Sequence, residues 1–377
     1  MDFDLTQEQK ILKQSARDFL KKECPPSLLR ELKSDEKGYL PRMWKKMAGL
    51  GWTGVMIPES FNGIGGDFIE LSILLEAMGE VNCPSPFFST IVLGAMPILL
   101  AGNENQKKAL LPGIADGNLL TAFALTEPGQ YFDPVHIAME AAPDTDGYVL
   151  TGTKLFVENA HVADKIICAA RTGGNPGDKN GLTLFIVNGK NPGIRVNRIQ
   201  TLAHDHQCEV VLDHVRVSGN DVLGPVDGAF EILESIQARA VVAKCAELVG
   251  CLQTAFDMSV TYAKERNQFN RPIGSFQAVQ HHLANMVLDV DGARFITYQA
   301  AWKIARDLPF RKDASMCKAW TGTAARQVTT LAHQIHGAIG FCEEMNLHLY
   351  YRKAKAGEVF FGDPAYHLEK VAQALGL

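Results

Sequence analysis

The chain has 377 residues, 46% of them apolar, which is enough for a large core and for two or three domains. A net charge of −5 with no cluster of lysine and arginine gives no footing for nucleic acid. The N-terminus, MDFDLTQEQK, has no basic region ahead of an apolar core, and the longest apolar run, 91–101, is too short for a bilayer and is broken by Gly94 and Pro97, so a cytoplasmic protein without a membrane span is expected. Eight cysteines without a CxxC pair read as reduced thiols packed as small apolar groups, which argues against a structural zinc site.

Thr6 and Gln9 have the spacing of a capping box, and the helix that follows them is expected to end before Pro25 and Pro26. Further helical patterns cover 41–50, 67–81 and 89–100, which makes the first third helical. Between them, 58–66 (PESFNGIGG) has the glycines of a phosphate cradle but follows no β-branched strand, and reads as a flexible connector. Near Leu120 the period changes. TAFALTE, YVLTGTKLFVEN, KIICAAR, LTLFIVNG, IRVNRI and EVVLDHVRV are short β-branched and aromatic runs, with Asp146-Gly147 and Asn188-Gly189 as tight turns. No long helices separate these runs, so an antiparallel barrel or sandwich is expected and a Rossmann sheet is disfavoured. From Gly228 onward helical spacing returns, with alanine-rich helices over 240–262, 275–306, 313–336 and 364–374 that suggest a bundle and an oligomer core. The expected domains are 1–117 (helical), 118–225 (middle β domain) and 226–377 (C-terminal helical bundle).

Segment 262–280, YAKERNQFNRPIGSFQAVQ, joins two of these helices through a basic turn in which Arg266 and Arg271 flank Phe269. Guanidinium groups there suit an anionic cofactor, because they form bidentate contacts to phosphate, although charged interhelical turns are also ordinary.

The order of helices, strands and bundle, together with three motifs, resembles the acyl-CoA dehydrogenase family of flavoproteins over essentially the whole chain. The motifs are Leu125-Thr126-Glu127-Pro128-Gly129 followed by Asp133; Glu265-Arg266 with Phe269, Ile273 and Phe276-Gln277; and Gln334-Ile335-His336-Gly337-Ala338-Ile339-Gly340-Phe341. The resemblance implies a mainly α fold with an inserted antiparallel β domain and a C-terminal four-helix bundle. It also implies FAD held by Phe123, Leu125, Thr126, Phe156 and Glu158 on one side and by Arg266, Phe269, Gln277, Gln334 and Gly337 across a subunit interface. Arg239 matches a substrate-side arginine. Phe156 stands where the family has a tryptophan beside the flavin, and Glu158 where a threonine bonds it; an ionised glutamate cannot copy a hydroxyl's donor role. The implied substrate is an acyl-CoA, the electron acceptor electron-transfer flavoprotein, and the assembly a homotetramer or a heterotetramer with a related subunit.

The same comparison exposes a gap. Removing a weakly acidic α-proton needs a carboxylate held in a dry pocket. In Val359-Phe360-Phe361-Gly362-Asp363, Phe361 occupies the usual glutamate's place, and at the alternative position, just before Arg239, stands Ala238. Asp363 and Glu158 are the candidate bases within the chain. Gly362-Asp363-Pro364 also reads as an N-cap with proline at the first helical position, and Glu158 also as a solvent-facing strand residue. Two hypotheses follow: a dehydrogenase whose base is displaced or supplied by a partner chain, or a non-catalytic FAD-binding subunit of a hetero-oligomer. A metal or hydrolytic enzyme has little support. His204-Asp205-His206 and His281-His282 read as structural or surface histidines, and no GxSxG motif occurs.

Overall fold

The computed structural model describes residues 4–33, 35–129 and 132–377. Helix α1 (Gln7–Glu23) starts at the capping box: the Gln9 amide donates to the Thr6 hydroxyl, and the Thr6 amide to the Gln9 side chain. Helices α2 (Pro26–Leu32), α3 (Pro41–Gly49) and α4 (Phe68–Glu80) follow, the last opened by a second box built from Asp67 and Glu70. The connector before α4 departs from its expected looseness. Glu59–Phe61 forms a 3-10 turn, and the amides of Ile64, Gly65 and Gly66 donate to the carbonyls of Gly54, Ile57 and Val55. A Cβ on Gly63 would lie 1.8 Å from the Ile57 carbonyl oxygen, so this glycine serves close backbone packing.

The expected helix over 89–100 is helical but not uniformly α. Phe88–Ala95 is a π-helix in which the Met96 amide reaches back five residues to Ile91, and α5 (Met96–Ala101) continues from it. Pro97 has no N–H to donate, so an unbroken α ladder cannot run through this point. Helix α6 (Glu104–Ala115) opens with a third box, Asn103 with Gln106, which its weak apolar periodicity conceals.

Two compact units divide the chain. One comprises Leu32–Gly66 and Pro84–Ala240. Its strands are β1 (Thr121–Ala124), β2 (Glu140–Asp144), β3 (Gly147–Glu158), β4 (Lys165–Arg171), β5 (Leu182–Asn188), β6 (Ile194–Arg198), β7 (Gln207–Ser218) and β8 (Val222–Leu223), ordered β6-β7-β3-β2-β4-β5-β8. Pairing is antiparallel except where β1 runs parallel to β4 and where Glu140 of β2 meets Arg171 of β4. The Asp146-Gly147 turn closes the β2–β3 hairpin, with Asp144 opposite Gly147. Alternate residues such as Leu150 and Val210 fill a core with Ala124, Met139, Val157 and Cys168.

The other unit comprises the chain to Glu31, Asp67–Cys83 and Val241–Leu377. It contains most of α7 (Phe230–Glu265), the two-residue strands β9 (Asn267–Gln268) and β10 (Arg271–Pro272), and helices α8 (Gln277–Ala305), α9 (Arg311–His336), α10 (Leu347–Val359) and α11 (Pro364–Leu375). Val249, Leu252, Val290, Ala325, Val328 and Tyr350 share its core. Helix α4 crosses α7 at glycines: a Cβ on Gly250 would lie 1.9 Å from the Glu76 carbonyl oxygen, and one on Gly79 1.9 Å from that of Glu247. Among the described residues no helix is long and apolar enough to cross a membrane.

Candidate functional site

In the β unit, Thr126 and Phe156 meet at an irregularity in β3. The β3–β7 register slips between Lys154 and Val157, and Phe156, with φ +56°, projects outward with 55% of its surface exposed. Such a bulge re-aims one side chain while its neighbours stay in the sheet. The Leu155 amide donates to the Thr126 carbonyl at 2.8 Å, which sets the Thr126 loop beside Phe156. Phe123 and Leu125 are buried, Thr126 is half-buried, and Glu158 closes β3 opposite Gln207, also half-buried.

Below this surface lies an ion pair that motif reading passes over. Lys154 Nζ donates to Glu127 Oε1 at 2.6 Å and to the Leu125 carbonyl at 3.1 Å, and the Glu127 carboxylate also accepts the amides of Ala138 and Met139. Strand alternation carries the signal that could have found it: Leu150, Gly152 and Lys154 share a parity, so a charge falls on the buried face.

Arg239 lies on α7, half-buried, with its guanidinium on the Ser235 side chain one turn earlier; Ile236 is buried and Ala238 half-buried beside it.

In the helical unit, segment 262–280 contains a small hairpin rather than a plain turn. β9 pairs with β10, with Phe269 and Asn270 both at positive φ between them, and the Ile273 amide donates to the Arg266 carbonyl at 2.8 Å. Two successive left-handed residues are the geometry of a type I′ turn, which suits asparagine and costs phenylalanine. Arg271 lies 4.0 Å from the Phe276 ring centre and Phe269 meets the same ring edge-on, yet Phe269 remains 86% exposed. The Tyr262 ring stacks on His336 at 4.5 Å, which brings this hairpin together with the end of α9. Arg266, Gln277, Gln334 and Gly337 are all exposed. Gly337 has φ +66° and open space beside its Cα. An exposed guanidinium, a carboxamide and an uncovered backbone suit the pyrophosphate and ribose of a dinucleotide, so the residues present fit FAD.

The segment expected to carry the base is held firmly. Lys318, fully buried on α9, donates to the carbonyls of Glu358 (2.6 Å) and Gly362 (2.8 Å), and His367 Nε2 donates to the Phe361 carbonyl (3.0 Å). Burial pulls Lys318 down to about 8; burial and the Lys318 charge pull His367 down to about 4. Phe361 sits at φ +46° against the Phe360 ring, 4.3 Å between centres. Asp363 accepts the Tyr366 amide at 2.8 Å as the N-cap of α11, with Pro364 at the first helical position. The candidate metal residues give no cluster: among the described residues no group of three or more His, Cys, Asp or Glu could hold a metal ion.

Family models for the acyl-CoA dehydrogenase N-terminal, middle and C-terminal domains match residues 6–118, 122–215 and 236–376. The chain is 35% identical over 367 residues to a probable acyl-CoA dehydrogenase, YngJ, of Bacillus subtilis, covering 95% of each. It superposes on butyryl-CoA dehydrogenase from Megasphaera elsdenii with a TM-score of 0.93 at 30% identity over all of both chains. A chain of the ChsE4-ChsE5 complex from Mycobacterium tuberculosis gives a TM-score of 0.91 at 27% identity, covering 100% of this chain and 99% of that one. The chain belongs to the acyl-CoA dehydrogenase family of flavin oxidoreductases.

Proposed function

We propose that this chain takes part in the FAD-dependent α,β-dehydrogenation of an acyl-CoA thioester to its enoyl-CoA, with the α-proton removed by a carboxylate of a related partner subunit. The observation that carries this reading is Phe361, a phenyl ring at the expected base position, on a segment whose carbonyls at Glu358, Phe361 and Gly362 are held by Lys318 and His367. A phenyl ring cannot accept a proton, Ala238 offers nothing at the alternative position, and the Asp363 carboxylate is engaged as a helix cap. Glu158, at the end of β3, is the other candidate base within the chain.

Bound FAD supplies the acceptor for the β-hydride, and electron-transfer flavoprotein is the expected next acceptor. Phe156 and Thr126 would flank the ring system, over Phe123 and Leu125. Arg266 would neutralise pyrophosphate charge for a neighbouring subunit while Gly337 and Gln334 admit its adenosine half, with Phe269 and Gln277 alongside. Arg239 would serve the substrate side. Because these exposed groups complete a cofactor site only in an assembly, cofactor retention and a homo- or heterotetramer form one linked equilibrium. A second reading is a non-catalytic FAD-binding subunit of a hetero-oligomer. It is favoured by the joint loss of both base positions and by the similarity to a chain from a complex of two differently named proteins.

The test is spectroscopic. The purified chain should show no bleaching of its flavin band with aliphatic, cyclic or dicarboxylic acyl-CoAs, and bleaching once the related chain is added. Bleaching by the chain alone would place the base within it and sink the partner reading. Arg266→Ala should lower the flavin-to-protein absorbance ratio of the same preparations, and an unchanged ratio removes Arg266 from the cofactor site.

A further inference from the structure

Lys154 has no exposed surface and Glu127 is only 7% exposed, both inside the apolar core of the β unit near Cys168, whose thiol burial pushes up to about 11. Burying two ions costs several kcal/mol for each, which their attraction offsets only in part, and apolar residues of similar volume often hold such a place equally well. Stability therefore does not account for this pair. Its hydrogen bonds do: apart from the ion pair itself, every one ends on a backbone group just outside β1 or β2, at Leu125, Ala138 or Met139. Lys154 holds the Leu125 carbonyl, Glu127 holds the amides of Ala138 and Met139, and the Leu155 amide, next along β3, holds the Thr126 carbonyl. Three consecutive residues, 125–127, are thus fixed from adjacent positions of β3, and Thr126 is left half-buried.

The pair also settles where the bulge falls. Lys154 and Val157 both point inward, so the extra residue lies between them and Phe156 must point out. A one-residue slip would carry Phe156 inward and pull the Lys154 ammonium away from Glu127, and a buried unpaired charge makes that slip costly. We infer that Lys154 and Glu127 are positioning residues of the flavin pocket: as a buried ionic pin they fix the β3 bulge and hold Thr126 beside Phe156. The inference rests on the FAD reading above, but its geometric half is testable without cofactor.

The experiment compares the full-length parent with the double variant Lys154→Met, Glu127→Gln, which removes both charges and keeps an acceptor for the 138 and 139 amides. Thermal unfolding should move by no more than a few degrees. Hydrogen exchange in peptides covering 137–139 and 154–157 should accelerate at least tenfold, and the Kd for added FAD should rise at least tenfold. Unchanged exchange overturns the pin, and faster exchange with unchanged FAD affinity overturns its link to the pocket. If the parent itself takes up no FAD, the cofactor reading fails while the exchange result still decides the pin. Should the double variant not fold, the parent decides: its amides in these two peptides must exchange as slowly as those of the β3–β7 ladder, and fast exchange overturns the proposal.

Discussion

Asp363 shows how one carboxylate can be assigned by separating two jobs that different substitutions distinguish. As an N-cap it satisfies an orphan amide at the start of α11, a contribution of about 1 kcal/mol. Asparagine caps as well as aspartate, whereas alanine does not. Asp363→Asn is therefore expected to leave the melting temperature and any partner-dependent flavin bleaching unchanged, and Asp363→Ala to destabilise by about 1 kcal/mol in urea unfolding. Loss of bleaching in Asp363→Asn with normal stability would instead make Asp363 the base. Phe361 belongs to the same scale. Its left-handed backbone is a cost for a bulky residue, and the hydrogen bonds from Lys318 and His367 oppose relaxation of the segment around it.

Between elements, the closest constraint in the helical unit is the crossing of α4 and α7. Gly79 and Gly250 let each helix approach the other's carbonyls, and a side chain at either position meets backbone, which cannot swing aside as a flexible side chain can. Gly250→Ala is expected to destabilise by on the order of 1–3 kcal/mol through overpacking, outweighing the better helix propensity of alanine, worth about 1 kcal/mol. A denaturant midpoint equal to or above the parent's would show that the helices separate without penalty. Buried polar contacts set the same elements in register: Glu76, fully buried on α4, accepts Lys13 Nζ of α1 at 3.0 Å and the Tyr298 hydroxyl of α8 at 2.5 Å. Burial pushes Glu76 upward, but Lys13, Arg294 and Tyr298 together hold it below the usual carboxylate range.

For the molecule as a whole, these buried groups predict an acid limit. His367, held at about 4 against an ordinary 6.5, is neutral in the fold while the unfolded chain takes a proton, so stability is lost as pH falls through the window from about 6.5 to 4. The full span corresponds to about 3 kcal/mol. Glu247 adds to the loss lower down: burial would raise it, yet Lys244 and Lys353 bring it to about 2, so its contribution disappears between about 4.5 and 2. Asp67, raised to about 6 by burial and by Glu70, works in the opposite direction. Because of that opposition, the test is a difference: the drop in unfolding free energy from pH 7 to pH 5 should be smaller in His367→Asn than in the parent. Equal drops would remove His367 from the acid limit.

Much of this was legible in the amino-acid sequence, because the signals were local. Capping boxes at Thr6, period-two runs from Thr121 to Val217, and alanine-rich helical spacing after Gly228 each depend on neighbours a few residues apart, and the motifs around Thr126, Arg266 and Gln334 point to the family from residue types in order. The sequence also determined by itself that residue 361 cannot be a base, since that is a property of a phenyl ring. Tertiary structure alone decided the rest. The π-helical turn ahead of Pro97, the parallel pairing of β1 with β4, the left-handed Phe269 and the Lys154–Glu127 pin all depend on contacts between residues far apart in the chain or on strain that surrounding packing must hold. Local propensity carries no information about which distant carbonyl a buried lysine will reach, and that long-range geometry is what sets the Thr126 loop beside Phe156 here.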